Sequence, residues 1–226
     1  MKFVVSIALL GIGFFSSMAK ANQLQYFVSQ TLQITYLDTS ATGKIQILKD
    51  ARLRGAKTMP TDKFTGGPIE YRNALLRLLD SNGEKVAVQS LARPWASIRR
   101  SKLNGPGQVF EVTVNYISDI GSYQGPVTSF VCVNQAKLNW LEAVDAIDGT
   151  SRRISLLNGY HGIYKIKDSQ TILKASATVD DQGTGGIEEL ARISLENGRW
   201  VIHRKSRPGA SEFEAVESLP KESDYP

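Results

Sequence analysis

The chain holds a single cysteine, Cys132, and only two histidines, His161 and His203. One cysteine excludes an internal disulfide, the device by which small exported domains often hold together. A hydrophobic core must serve instead. The histidines lie far apart and neither belongs to H-E-x-x-H or a similar ligand spacing, so no zinc site is expected. G-x-S-x-G and phosphate-cradling glycine loops are lacking, and Ser218-Leu-Pro-Lys221 matches S-x-x-K only within a polar stretch that cannot desolvate its lysine. Asp145-Ala-Ile-Asp148-Gly149 and Asp180-Asp181-Gln-Gly183 set carboxylates beside glycine turns, but without the alternating ligands of a calcium loop. No cofactor is expected. Past residue 21, no apolar run reaches the ~20 residues of a membrane-crossing helix.

What is present begins with an export pattern. Lys2 precedes an apolar run from Phe3 to Phe15, and Ala19-Lys20-Ala21 puts small residues at the −3 and −1 positions of a cleavage site. Residues 1–21 therefore read as a signal peptide, and the rest as a chain destined for the periplasm or the exterior. The formal charge is +5, yet the closing Ser211–Pro226 holds five acids against one lysine. A basic body with an acidic tail suits a protein or anionic envelope polymer as partner; export argues against nucleic acid.

The periodicity is that of strands. Ala191-Arg-Ile-Ser-Leu-Glu-Asn-Gly-Arg-Trp-Val-Ile-His203 turns at Asn197-Gly198, a type I′ pair, and predicts Glu196 opposite Arg199, Leu195 opposite Trp200 and Ile193 opposite Ile202. The same device around Asn82-Gly83 predicts Asp80 opposite Lys85 and Leu79 opposite Val86, with both faces apolar and so deep in a sandwich; a helix through Leu75, Leu78 and Leu79 competes. A third hairpin runs from Val127 to Val133, turns at Asn134–Lys137, and returns through Leu138, Trp140 and Leu141. Further strands are expected at 31–37, 44–48, 108–117, 152–157, 162–166 and 172–179. This spacing predicts an all-β fold of antiparallel hairpins in a sandwich or meander. The natural division is a β-sandwich unit at 22–118, of immunoglobulin-like form, a β-meander unit at 119–206 and an acidic tail at 207–226; one continuous β domain is the alternative.

Candidate binding residues fall in three places. Residues 92–108 read as a loop that carries Arg93, Trp95, Arg99, Arg100 and Lys102, a basic set with an aromatic suited to sugars or acidic groups. Asn158-Gly159-Tyr160-His161-Gly162 flanks an aromatic and an imidazole with glycines. Asp119–Phe130, DIGSYQGPVTSF, reads as a corner between strands that either packs or displays Tyr123. Cys132, inside Phe130-Val-Cys-Val133, reads as a small buried hydrophobe.

Gly121-Ser-Tyr-Gln-Gly-Pro126, Lys137-Leu138 leading to Glu142-Ala-Val-Asp-Ala146, Asp148-Gly149, Ile154-Ser-Leu156, Tyr164-Lys165 and Leu219-Pro-Lys-Glu-Ser-Asp-Tyr-Pro226 together resemble a family of uncharacterised exported bacterial proteins with a GSYxGP motif. The resemblance spans roughly 116–226; Asn158–Gly162 departs from the Ser-Leu-Lys-like run it implies. It implies an exported β module whose tail belongs to the fold, and it transfers no activity. The function expected is therefore non-catalytic binding of a macromolecular partner, for instance inhibition of a cell-wall hydrolase. A glycan-directed hydrolase stays open, because its carboxylate separation is set only in space.

Overall fold

A computed structural model of the chain describes residues 25–35, 41–57, 71–116, 125–134, 136–159, 161–179, 186–209, 216 and 218–226. The leader 1–21, Tyr123, Tyr160 and the Asp180–Gly183 turn lie outside them. The strands are β1 (Tyr26–Thr35), β2 (Thr42–Asp50), β3 (Leu75–Leu79), β4 (Lys85–Ser90), β5 (Ala96–Arg100), β6 (Gln108–Tyr116), β7 (Gly125–Asn134) and β8 (Lys137–Trp140). They continue with β9 (Glu142–Asp145), β10 (Ser151–Arg153), β11 (Ser155–Leu157), β12 (Gly162–Ile166), β13 (Thr171–Val179), β14 (Gly186–Glu196) and β15 (Arg199–Pro208). The expected all-β fold is what forms.

Three sheets stack. The first has order β1-β2-β3-β4, the middle β11-β7-β6-β5 with β8 also on β7, and the third β10-β9-β15-β14-β13-β12. Period-two alternation explains the stacking. On the middle sheet Phe110, Val112, Val131 and Val133 point one way and join Ile45, Ile47, Leu76 and Leu78 of the first sheet. Val109, Phe130 and Leu156 point the other way, onto Ile172, Ile193 and Trp200 of the third. The middle sheet is thus buried on both faces. β6 and β7, on either side of the 118–119 division, are neighbours in it from Gln108↔Val133 to Tyr116↔Gly125.

Two crossings weld the middle sheet to the third. After β8 the chain changes sheet at Leu141 to start β9, and after β10 it changes back at Ile154 to start β11. The crossing points bond to each other, Ile154 N donating to Leu141 O at 2.9 Å while Leu141 N donates to Phe130 O at 2.8 Å. The strand expected over 152–157 is therefore two strands with a change of sheet between them.

The Asn197-Gly198 hairpin has the predicted register, Leu195↔Trp200 and Ile193↔Ile202, with φ of 51° and 78° at its turn residues. The third hairpin also forms, with Val133↔Leu138 and Asn134↔Lys137. The Asn82-Gly83 hairpin does not keep its expected register: Leu79 pairs with Lys85 and Leu78 with Ala87, with a bulge between. Asp80 is the cause. Its carboxylate accepts from Asn82 N at 2.9 Å and Glu84 N at 2.8 Å, while Gly83 N donates to Asp80 O. Those bonds favour a longer loop closing through a left-handed Gly83, φ 83°. The bulge turns Val86 and Val88 outward, 39% and 42% exposed, so this strand is not apolar-buried on both faces as expected. The helix alternative for 75–79 is replaced by β3.

Residues 92–108 are not simply a loop. β5 lies within them, with Ala96 and Ile98 buried and Ser97, Arg99 and Arg100 exposed. Two inward residues are too few for a clear strand signal. The closing stretch returns to the third sheet, where Tyr225, Leu219 and Val216 join Leu173, Ala175 and Leu190.

Candidate functional site

β5 is the outer strand of the middle sheet, and its alternation decides what its basic residues do. Ile98 points into the core, and Ile98 N is capped by Gln30 Oε1 at 2.7 Å. Arg99 stands opposite Glu111 of β6. Its Nε and Nη2 lie 2.6 and 2.5 Å from Glu111 Oε2. The pair is asymmetric: the Arg99 side chain is 72% exposed and that of Glu111 only 5%. Glu111 Oε1 has no hydrogen-bond partner among the described residues. Arg100 donates to Gln33 O, with its guanidinium 6.0 Å from the Phe110 ring centre. Lys102, just past the strand, is exposed and forms no ion pair among the described residues.

The facing wall comes from the other end of the middle sheet and from β12. Gly125 opens β7 at φ 84°, and a Cβ there would lie 2.7 Å from both Asn158 O and Gly159 Cα. Glycine lets the 158–159 backbone settle against β7, where Asn158 N donates to Pro126 O at 3.0 Å. Gly159 and Gly162 then bridge to each other. β12 follows, turning Tyr164 and Ile166 toward the middle sheet and Ile163 toward the outer cluster. Between these walls lies a groove of about 500 Å³, lined by Arg99, Arg100, Lys102, Glu111, Asn158, Tyr164 and Ile166.

The structure thus gathers three of the predicted residues, Arg99, Arg100 and Lys102, and leaves others elsewhere. Trp95 lies just before β5 at its far end, roughly 16 Å from Arg100 along an extended chain, with Lys49 Nζ 3.7 Å from its ring centre. Burial lowers the pKa of Lys49. Arg93 gives its carbonyl to Ala74 N at 2.9 Å and is not among the lining residues. His161 gives its carbonyl to Ala177 N at 3.0 Å. Tyr123 and Tyr160 lie outside the described residues. Glu111 and Ile166 carried no signal, since alternation assigns Glu111 to a polar face.

A second, smaller cleft of about 150 Å³ lies beside the Ile154 crossing. Its centre is Asp145, whose side chain is 1% exposed. Asp145 Oδ2 accepts from Arg204 Nε at 2.8 Å and lies 3.8 Å from Arg152, and Oδ1 takes Ile147 N at 3.0 Å. Arg204 and Lys174 in turn reach Glu189 at 3.4 and 3.5 Å. Each acid here has its cation, so the network closes on itself across neighbouring strands of the third sheet. Cys132 is buried, and burial pushes its thiol pKa up, opposite to what a nucleophile needs. Among the described residues no three His, Cys, Asp or Glu side chains converge as metal ligands would. No family model, curated protein or solved structure matches the chain.

Proposed function

We propose that the chain is an exported binding module that holds an anionic macromolecule in the groove between β5 and β12. The carrying observation is the unequal charge of that groove among the described residues: three cations, Arg99, Arg100 and Lys102, against one carboxylate, Glu111. Arg99 is partly neutralised by Glu111, which leaves Arg100 and Lys102 as the charges free to meet a ligand. Recognition of this sort needs placed cations on a rigid scaffold and no reacting group. Among the described residues the groove holds one carboxylate, tied to an arginine, which favours binding over hydrolysis, a reaction that uses two carboxyl groups about 5–10 Å apart.

The test is titration of the leaderless chain with polygalacturonate, polyphosphate and polyglutamate at several salt concentrations. Exchanging both Arg100→Gln and Lys102→Gln should weaken binding by about tenfold or more and flatten its salt dependence. Unchanged affinity for every polymer in this folded double variant would remove the groove as the site.

A further inference from the structure

A site for charge alone would be lined by cations, and this one is not. Its wall also holds the Tyr164 ring, the Asn158 amide, the apolar Ile166 and a buried carboxylate. Glu111 is only 4% exposed, yet Oε1 has no hydrogen-bond partner among the described residues. Arg99 occupies only the other oxygen. Oε1 is not sealed from solvent, so a ligand that covers it has to bring a donor in place of water. Polyphosphate, a polyanion without hydroxyl groups along its chain, offers none, and its unbroken charge would be repelled by Glu111.

Resting on the proposed binding of an anionic macromolecule, we infer that the groove takes a glycan built from acidic sugars. A sugar ring is apolar on one face, which suits Tyr164 and Ile166. Its hydroxyls donate and accept, which suits Glu111 Oε1 as acceptor and Asn158 as both. Its acid group suits Arg100 and Lys102 at the rim. A bare polyanion satisfies only the last of these, and a neutral glycan only the first two. Tyr164 is thus the specificity residue and the two cations supply the charge term.

The experiment compares polygalacturonate with polyphosphate on variants of Tyr164 in the leaderless chain. Tyr164→Leu keeps an apolar side chain against the core but removes the flat face, and Tyr164→Phe keeps the face. Tyr164→Leu should lower polygalacturonate affinity by about tenfold, the scale of losing one aromatic anchor, and leave polyphosphate binding unchanged. Tyr164→Phe should bind both as the parent does. Asn158→Ala, on an exposed side chain, should lower the polygalacturonate affinity alone and gives a second reading if Tyr164→Leu fails to fold. Equal losses for both polymers, or none for polygalacturonate, overturn the inference. The broader reading fails separately, only if the Arg100 and Lys102 exchanges change nothing.

Discussion

Three acids at the heart of this protein each meet arginine. Asp50, fully buried, takes Arg52 Nη2 at 2.6 Å, and its oxygens also accept from the backbone N–H groups of Arg52 and Arg72 at 3.0 Å. The Arg52 guanidinium, helped by those N–H bonds against the cost of burial, holds the carboxyl well below the usual range. A depressed folded-state pKa stabilises above the unfolded value of about 4, and that stabilisation is lost as pH falls toward the folded value. Asp50→Asn should therefore cost about 2 kcal/mol at pH 7, measured by urea unfolding. Because asparagine does not titrate, the gap should narrow below about pH 4; a gap constant down to pH 3 would refute the coupling. None of these acids stood out in the sequence. Asp50 and Glu111 occupy ordinary strand positions, and Asp145 looked like turn chemistry. Glu111 and Asp145 meet Arg99 and Arg204, which only strand pairing brings near, whereas Arg52 lies two residues from Asp50.

At the scale of elements, identical dipeptides ended differently. Asn197-Gly198 makes a two-residue turn, and Asn82-Gly83 a longer one, because Asp80 offers its carboxylate to the loop N–H groups. Hairpin positions were legible from alternation, as was most of β6 to β8 and β12 to β15. Register was legible only where no side chain competed for the turn's donors. β5 stayed hidden because an outer strand with two buried residues lacks a long period. Two glycines measure how tightly these elements are tied. Gly83→Ala meets nothing within 4 Å, so only its left-handed backbone resists, at about 1–2 kcal/mol. Gly125→Ala adds a clash with Asn158 and Gly159 to the same strain, for a total of about 3 kcal/mol. Thermal unfolding of the two variants should rank them in that order. Gly125→Ala should also weaken polymer binding by displacing Asn158, whereas Gly83→Ala should not.

At the scale of the molecule, the middle sheet explains why the groove could not be seen in advance. Read alone, β6 alternates Phe110 and Val112 against Glu111 and Thr113, an inside and an outside. The third sheet covers that outside, so Glu111 becomes buried and its neighbours become the end of a groove. The sequence marks which residues alternate, but not how many layers will stack on them. The closing acidic stretch is covered by the same logic, with Glu222 bonded to Lys167 and Arg192 donating to Glu222 O and Pro226 O. Its anchor is Tyr225, 6% exposed over Leu173 and Leu190. The Tyr225 hydroxyl has no partner among the described residues, and burial, reinforced by Glu188, pushes its pKa up to about 12. The ring therefore stabilises while the hydroxyl does not. Tyr225→Ala should cost about 3 kcal/mol, and Tyr225→Phe should match or exceed the parent by up to about 1 kcal/mol. A phenol whose folded pKa is raised contributes stability that is whole below pH 10 and lost as pH rises through 10 toward 12. The parent should thus weaken between pH 10 and 12 more steeply than Tyr225→Phe, and equal slopes in denaturant titrations across that window would show that the tail does not bury this ring.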